Sequence, residues 1–486
     1  MQLNDSGLLQ TQGFIDGQWR SAMSGKTFEV INPATGALLA EVADMGAAET
    51  REAIEAAENA MQSWKALPAK ARCDILERWF DLIIAAQEDL AQLMTAEQGK
   101  PLAEARGEVA YGAAYLKWFS EEGKRVYGDV IPQQSDRRGL VIKQPVGVVA
   151  AITPWNFPNA MITRKVAPAL AVGCAVVLKP AAETPLSALA LAELAKRAGL
   201  PDGLFNIVTG LDAPAIGGEM TGSKIVRKVT FTGSTPVGKL LMRQCADTVK
   251  RTSMELGGNA PVIIFDDADL ELAVNGAIAA KYRNSGQTCI CSNRLLVQAG
   301  IYDKFVEKFA EKVKAFNVGN GALDGTTHGP LITTKAVNDV HSKVLDAIDG
   351  GACVVTGGKP GAQGAHFYEP TVLTNVHSGM RVFREEIFGP VAPVFKFDTE
   401  AEAIAMANDT EFGLASYVYT ENMGRIFRVS EALEYGMVGV NETAISSELI
   451  PFGGVKESGQ GREGSKYGLN DYLETKYICL GGLNRA

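Results

Sequence analysis

"KVTFTGSTPVGKLLMRQCAD", residues 228–247, contains the unit from which the fold can be predicted. A short run rich in β-branched residues predicts a strand, and "PVGKLLMRQCAD" predicts a helix. Gly233 and Gly238 permit a tight turn between them, and the helix N-terminus offers free N–H groups to a phosphate. The turn has the form GxTxxG rather than GxGxxG, so by itself it fits a glycine-lined turn as well as a dinucleotide site.

The same order of strand, turn and helix recurs on both sides of this stretch. Further short runs bounded by Gly, Pro or Asn are 146–153, 175–178, 204–208 and 262–265. Helical stretches separate these runs, which predicts a parallel sheet covered on both faces. A second series begins near residue 293, with strands predicted at "RLLVQ", "ACVVTGG", "VAPVFKF" and "GLASYVYT". The fold class is therefore α/β, with two domains in series, as a chain of 486 residues leads us to expect.

Helices are predicted before residue 122, and a hairpin after it. Residues 48–66 have charges on one helical face and apolar residues on the other. The apolar face comprises Ile54, Ala57, Met61 and Trp64. Residues 126–146 place a polar turn between two apolar stretches, which predicts a β-hairpin. The C-terminal "YLETKYICL" predicts an extra strand that could pair outside its own domain.

Composition and charge narrow the class of protein. Hydrophobic residues make up 46% and charged residues 21%, which is typical of a soluble globular protein. A net charge of -9 argues against nucleic-acid and membrane partners. The seven cysteines are scattered and favour a reducing, cytoplasmic setting over a disulfide framework. We expect neither a targeting peptide in the first residues nor a membrane span, because no apolar run reaches about 18 residues.

The stretch "NSGQTCICSN", residues 284–293, places Cys289 and Cys291 in a loop of small residues. A substrate could approach a thiol closely here, although two buried structural cysteines are an equally ordinary interpretation. No metal site is expected, because no histidine or second cysteine pair lies nearby to complete four ligands.

Other segments carry polar residues suited to chemistry, each with a plainer alternative. Glu255 in "MELGGNAP" could be a general base, or a helix cap or ion-pair partner. Asn156 in "ITPWNFP" could donate to an oxyanion, or be satisfied within a buried turn. Lys179 follows a strand and could meet a ribose or phosphate, or be solvated. Glu385 and Glu386 precede a Phe-Gly-Pro turn and could be a solvated acidic pair.

The order of these motifs resembles the NAD(P)-dependent aldehyde dehydrogenase superfamily over essentially the whole chain. The motifs are Asn156, Lys179, 233–238, Glu255, Cys289 and 386–390. "GQTCICSNR" and "PFGGVKESGQGREGSKYGLNDYLETKYICLG" look like the succinate-semialdehyde dehydrogenase subfamily, and glutarate-semialdehyde enzymes share much of this pattern. The resemblance implies a Rossmann-type cofactor domain, an α/β catalytic domain and an oligomerisation element. Their predicted bounds are, in that order, 1–125 with 147–256, then 257–455, and 126–146 with 456–486.

The resemblance implies roles for the catalytic residues. Cys289, as a thiolate, would attack the aldehyde carbon. The Asn156 amide and the Cys289 N–H would hold the oxyanion, and hydride transfer to the nicotinamide would leave a thioester. Glu255 would activate the water that hydrolyses this thioester. A coenzyme A-acylating enzyme usually lacks that glutamate, so Glu255 argues against it, and a non-catalytic structural protein is the remote alternative.

The resemblance also implies a set of cofactor contacts. Those predicted are Trp155, Lys179, Ala182, Glu183, Gly233, Ser234, Leu256, Glu386 and Phe388. In relatives that prefer NAD, a glutamate often stands three residues after the lysine, where this chain has Ala182. A missing carboxylate removes repulsion against a 2′-phosphate, so we expect NADP as the preferred cofactor, with NAD also used.

Substrate, regulation and assembly are implied in the same way. Arg164, Arg283 and Ser446 match positions that bind the distal carboxylate of a semialdehyde. Thr443 and Ala444 depart from the usual pattern of glycine followed by a larger apolar residue, which affects the chain-length preference. Cys289 and Cys291 form the C-x-C pattern with which some of these enzymes close a reversible disulfide. The predicted hairpin and C-terminal strand imply a homodimer or homotetramer.

Overall fold

A computed structural model of the chain describes residues 1–134 and 136–484. The strands of this part are β1 Gly13–Ile15, β2 Gln18–Arg20, β3 Thr27–Ile31, β4 Leu38–Ala43, β5 Asp129–Pro132, β6 Arg138–Pro145, β7 Val148–Ile152, β8 Ala175–Lys179, β9 Phe205–Ile207, β10 Val226–Thr232, β11 Arg251–Glu255, β12 Ala260–Ile264, β13 Ser292–Gln298, β14 Cys353–Thr356, β15 Thr371–Thr374, β16 Val391–Phe397, β17 Ala415–Tyr419, β18 Met437–Val440, β19 Gly459–Gln460 and β20 Leu473–Leu480.

The α-helices lie mainly between these strands. They are α1 Ala47–Ala66, α2 Ala69–Ala85, α3 Gln87–Gln98, α4 Leu102–Glu122, α5 Ala160–Val172, α6 Pro185–Arg197, α7 Ala213–Gly222, α8 Thr235–Ala246, α9 Leu270–Tyr282, α10 Tyr302–Lys314, α11 Thr334–Asp349, α12 Arg381–Arg384, α13 Glu400–Asn408 and α14 Met423–Ala432. In the part of the chain that the structure describes, no helix combines the length and apolarity needed to cross a membrane.

The first sheet has eight strands in the order β19-β11-β10-β7-β8-β9-β1-β2. Its centre is parallel, as predicted, and β10 pairs with β7 and β11. Its edges are antiparallel, because β1, β2 and β19 run against their neighbours. The sequence did not predict these edge strands, since runs of two or three residues carry no readable periodicity. Helix α1 is confirmed, and its predicted apolar face is buried.

The second sheet has seven strands in the order β14-β15-β16-β13-β12-β17-β18. The strand pattern listed 262–265 with the first series, whereas the resemblance implied a place in the catalytic domain, 257–455. The strand pattern was wrong here, because β12 is an interior strand of this second sheet. It pairs with β13 and β17. The four predicted strands of the second series are confirmed, whereas β15 and β18 were not predicted. The chain changes sheets between β11 and β12 within four residues, 256–259, and this crossing positions the site described below.

A third sheet, in the order β20-β6-β5, confirms both the hairpin and the C-terminal strand. Strand β20 pairs along its whole length with β6, from Leu473 opposite Pro145 to Leu480 opposite Arg138. The neighbouring β19 pairs with β11 in the first sheet, although residues 456–486 were assigned to the oligomerisation element. The remaining two strands, β3 and β4, form a hairpin of their own. The proposed bounds of the domains stay a prediction.

Candidate active site

The Gly257–Gly258 crossing brings Cys289 to the end of β11. Ala260 at the start of β12 pairs with Ser292 at the start of β13, so the residues before each strand are also neighbours. Gly258 lies against the backbone of the cysteine loop, where a Cβ would stand 2.2 Å from the Cys289 carbonyl oxygen. Only glycine allows so close an approach. Since β11 ends at Glu255, the same crossing places the predicted base and the predicted nucleophile in one region.

The side chain of Asn156 faces this region in a defined orientation. Its Nδ2 donates to the carbonyl oxygen of Gln287 at 2.9 Å, two residues before Cys289. A carbonyl can only accept, so this bond identifies the amide nitrogen as the group that points toward the cysteine loop. The second N–H of Nδ2 has no other protein partner among the described residues. It is therefore the donor that an oxyanion at this position could use.

The thiol of Cys289 is protonated at rest. Burial raises its pKa to about 12, and the charges of Glu386 and Glu255 act in the same direction. The reactive form is the thiolate, so the thiol must lose its proton when it attacks, and hydrolysis of the product needs a base. Glu255 is the carboxyl group that β11 delivers to this region.

Glu255 is 3% exposed, and its Oε2 has no hydrogen-bond partner among the described residues. Burial raises its pKa well above the usual range, and the neighbouring Glu463 raises it further. Arg164 and Lys165 oppose this shift, and both form ion pairs with Glu463. Glu255 has no ion-pair partner of its own among these residues, which disfavours the structural alternatives. A buried carboxyl with a raised pKa has the properties of a general base.

A cavity of ≈ 260 Å³ opens on one side of Cys289. It is lined by Pro154, Trp155, Asn156, Met161, Thr232, Gly233, Ser234, Leu256, Gly257, Cys289, Glu386 and Phe388. Six of the predicted cofactor contacts lie here, namely Trp155, Gly233, Ser234, Leu256, Glu386 and Phe388. Trp155 and Phe388 pack edge to face, with ring centroids 5.6 Å apart. Glu386 accepts from the Gly258 N–H at 3.0 Å, and burial raises its pKa to about 7.

The chain's own residues fit a dinucleotide in this cavity. Ser234 precedes α8 and makes no side-chain capping bond, so the N–H groups of the first turn stay available to a phosphate. A Cβ at Gly238 would stand 2.3 Å from the Leu256 side chain, so the turn must stay narrow. Thr232 Oγ1 is buried without a partner among the described residues and lies beside this turn. The glycine motif, which is weak by itself, therefore lies between a strand and a helix N-terminus, as a phosphate site requires.

The three remaining cofactor positions lie outside the lining of this cavity. Lys179 ends β8 and is 6% exposed, and its Nζ donates to the Pro180 carbonyl oxygen at 3.3 Å. Burial lowers its pKa, whereas Glu183 opposes that shift. Ala182 is half-buried and Glu183 is exposed. Their contact with a cofactor stays a prediction.

A smaller cavity of ≈ 20 Å³ lies on the other side of Cys289. It is lined by Tyr111, Phe157, Met161, Arg164, Arg283, Thr288, Cys289, Ile290, Ser446 and Phe452. All three predicted substrate contacts, Arg164, Arg283 and Ser446, therefore lie beside Cys289, the predicted nucleophile. Cys289 lines both cavities, so its sulfur can contact a group bound in either of them.

The two arginines differ in whether a carboxylate of the protein pairs with them. Arg164 is 1% exposed, pairs with Glu463 and packs on the Phe452 ring at 4.1 Å. Arg283 is exposed and stacks on the Phe157 ring at 5.0 Å. Among the described residues, no carboxylate lies within 4.0 Å of Arg283. Its charge is thus the one free to bind an anion.

Cys291 lies behind the loop and is 5% exposed. Its Sγ accepts from Lys281 Nζ at 3.3 Å and donates to the Lys281 carbonyl oxygen at 3.2 Å. Burial raises its pKa, and Lys281 opposes that shift. All seven cysteines are free thiols. Residues 1–134 and 136–484 contain no cluster of His, Cys, Asp or Glu that could hold a metal ion.

Comparison with known proteins shows the family to which the chain belongs. The model of the aldehyde dehydrogenase family matches residues 19–478. The chain belongs to the aldehyde dehydrogenase family. It is 61% identical to a glutarate-semialdehyde dehydrogenase of Pseudomonas aeruginosa, over 99% of this chain and 100% of that protein. It is 60% identical to a 3-sulfolactaldehyde dehydrogenase of Pseudomonas putida over the full length of both proteins.

Two further matches carry the name of a cofactor. The NADP(+) succinate-semialdehyde dehydrogenase GabD of Escherichia coli is 58% identical, over 99% of this chain and 100% of that protein. The crystal structure of an E. coli NADP-dependent enzyme has a TM-score of 0.98 and 58% identity, over 99% of this chain and 100% of that one. The predicted family and fold class are thereby confirmed, and the protein is an enzyme that oxidises aldehydes.

Several residues of this aldehyde dehydrogenase site were not predicted from the sequence. Tyr111, Phe157, Met161 and Phe452 form the apolar walls of the smaller cavity. Phe157 directly follows Asn156, and Met161 lies three residues after the end of "ITPWNFP", so their position in the sequence offered a signal. Tyr111 in α4 and Phe452 offered none, because only the packing of distant segments brings them to the nucleophile.

Proposed function

We propose that the protein oxidises a short aldehyde with a distal carboxylate, and that succinate semialdehyde is its preferred substrate. The observation that carries this proposal is the pair of cavities that share Cys289, one of which contains Arg164, Arg283 and Ser446. Glutarate semialdehyde is the alternative, because the arginines set the charge of the substrate more firmly than its length. The relatives named for glutarate semialdehyde and 3-sulfolactaldehyde support an anionic substrate.

The proposed mechanism uses one sulfur for two successive steps. Cys289 Sγ loses its proton to solvent and bonds to the aldehyde carbon, and Asn156 Nδ2 holds the resulting oxyanion. The residues that line the larger cavity would hold NADP, which would supply the hydride acceptor for the aldehyde carbon. The acyl group then stays on Cys289 as a thioester. Glu255 takes a proton from water as the water oxygen bonds to the acyl carbon, and it gives that proton to the sulfur as the C–S bond breaks, which regenerates the thiol.

Replacing Arg283 with alanine will weaken the use of carboxylate-bearing aldehydes. We expect KM for succinate semialdehyde to rise about 10- to 100-fold, because a charge-assisted contact contributes about 1.5–3 kcal/mol. KM for butanal, which has the same chain length without the charge, will change little. Initial rates measured with both aldehydes test this difference directly.

Arg283→Lys is the matched control for charge alone. Lysine keeps the positive charge but lacks the planar fork that binds a carboxylate through two parallel bonds. We expect its KM to lie between those of the parent and Arg283→Ala. Equal changes for succinate semialdehyde and butanal would overturn the carboxylate role. A panel that includes glutarate semialdehyde and 3-sulfolactaldehyde then ranks chain length and anion type by kcat/KM.

We infer that NADP is the preferred cofactor and that NAD is also used. Ala182 leaves no carboxylate three residues after Lys179, and Lys179 is the buried cation at the end of β8. Ala182→Glu will restore a carboxylate that repels a 2′-phosphate, so the ratio of kcat/KM for NADP over NAD will fall at least about 10-fold. A parent enzyme with a strong preference for NAD would refute the inference.

We propose a redox switch in which Cys289 and Cys291 close a disulfide that stops catalysis. Closure must break both contacts of Cys291 with Lys281 and distort the loop, so the bond is strained and easily reduced. Mild oxidation will inactivate the parent, and dithiothreitol will restore it. Cys291→Ala will lose this reversible component, which activity measured before and after reduction will show. A variant inactivated and rescued like the parent would rule the switch out.

We also propose that the protein acts in the cytoplasm as a homodimer or homotetramer. The free thiols suit a reducing compartment. The three-stranded sheet leaves β20 largely exposed, with Tyr477, Ile478 and Leu480 among its exposed apolar residues. An exposed apolar strand of this kind is a surface that a second copy would cover. Sedimentation analysis distinguishes the two assemblies from a monomer.

A further inference from the structure

Asn284 begins the strained turn that leads to the nucleophile. Asn284 and the next residue, Ser285, are both left-handed, with φ of 51° and 55°, and Gly286 follows at 77°. Residues other than glycine rarely adopt such conformations, which persist only where surrounding contacts enforce them. The Asn284 N–H donates to Glu104 Oε2 at 2.9 Å. Its carbonyl oxygen accepts from Gln287 N at 3.0 Å and from Gln287 Nε2 at 3.1 Å.

The side chain of Asn284 connects this turn to Asn156. Its Nδ2 donates to the Asn156 carbonyl oxygen at 3.0 Å and to the Gln287 carbonyl oxygen at 3.3 Å. The Gln287 carbonyl oxygen also accepts from Asn156 Nδ2. One amide group therefore binds the backbone of Asn156 and the carbonyl that orients the Asn156 side chain. Asn284 is 1% exposed, so water does not compete for these bonds.

The last residue of α3 and the loop between α3 and α4 contact the Asn284 amide and the Asn156 backbone. Gln98 Nε2 donates to Asn284 Oδ1 at 3.0 Å, which fixes the amide so that its nitrogen faces Asn156. Lys100 Nζ donates to the same Asn156 carbonyl oxygen at 2.8 Å and is ion-paired with Glu108. The Asn156 peptide is thus fixed by two donors from different parts of the chain. These hydrogen bonds fix the Asn156 backbone and the Gln287 carbonyl oxygen, and an oxyanion site needs donors that are held in place in this way.

We propose that Asn284 is a positioning residue that sets the relative placement of the two oxyanion donors, Asn156 Nδ2 and the Cys289 N–H. The inference rests on the proposed roles of Asn156 and Cys289. Asn284 itself lines neither cavity and reaches the site through its hydrogen bonds to Asn156 and Gln287. A donor displaced by about 1 Å can cost about 100-fold in rate, so a residue that reaches no substrate can still control kcat.

Asn284→Gly tests this role without adding strain. Glycine adopts the left-handed conformation freely, so the turn is kept and only the amide is removed. We expect kcat to fall about 10- to 100-fold with a much smaller change in KM. Ser285→Gly is the matched control, because Ser285 has the same conformation and its Oγ donates to the Gly329 carbonyl oxygen at 2.8 Å, away from Asn156. Its kcat will stay within about 3-fold of the parent.

Two further readouts separate positioning from a general structural effect. Alkylation of Cys289 by iodoacetamide passes through no oxyanion, so its rate in Asn284→Gly will match the parent within about 2-fold. In an Asn156→Ala background, adding Asn284→Gly will cost less than about 3-fold, because the group it positions is already gone. Fully multiplicative losses, or a parallel loss of alkylation, would overturn the proposal. If Asn156→Ala itself is harmless, the proposed catalytic role fails instead.

Discussion

Glu255→Gln will produce one rapid turnover of reduced cofactor per active site and then nearly stop. Hydrolysis of the thioester needs a base, and glutamine cannot accept the proton of water, so steady-state kcat will fall about 10²- to 10⁴-fold. The first half-reaction ends before that step, and its product is counted as NADPH absorbance. Stopped-flow traces, recorded at an enzyme concentration high enough to detect one equivalent of NADPH, will therefore show a burst followed by a slow phase.

The burst distinguishes Glu255 from the nucleophile. Cys289→Ala will show neither burst nor turnover, because the acyl group has no sulfur to occupy. Peptide mapping after acid quench will find the acyl group of Glu255→Gln on Cys289. A Glu255→Gln enzyme with a normal steady state would contradict the assignment of this carboxyl to hydrolysis. If the burst is lost together with turnover, Glu255 is instead the base that deprotonates the thiol in the first half-reaction.

The candidate catalytic residues could be selected from the sequence because each lies in a short local motif. Cys289, Glu255 and Asn156 each lie within a few residues of glycines or aromatic residues that mark the motif. Their order along the chain then identified the family. Element types followed from periodicity in the same way, as in α1 and the central strands of the first sheet.

Contacts between residues that lie far apart in the sequence could not be predicted. Arg164 is paired with Glu463 from the far end of the chain, and only folding shows that its charge is shared. The strand pattern alone also assigned β12 to the wrong series, whereas the resemblance implied a place in the catalytic domain. An apolar run of five residues has the same pattern in either sheet, and the Gly257–Gly258 crossing decides between them through backbone contact with Cys289.

Asn156→Ala will reduce kcat by about 10²- to 10³-fold, the usual loss when one oxyanion donor is removed. KM will change much less, since the amide contacts the oxygen most strongly once charge develops on it. Asn159→Ala is the matched control. Asn159 is also a buried amide, three residues further on, but it lines neither cavity and its side-chain atoms have no hydrogen-bond partner among the described residues.

The decisive comparison is between acyl transfer and alkylation at the same sulfur. Iodoacetamide reacts with Cys289 by direct displacement, so Asn156→Ala will be alkylated at nearly the parental rate while aldehyde oxidation is slow. A variant slow in both reactions would mean that Asn156 shapes the loop through its bond to Gln287 rather than stabilising charge. A variant slow in neither would leave the Cys289 N–H as the sufficient donor. Only the first result makes the Asn156 amide part of the oxyanion site.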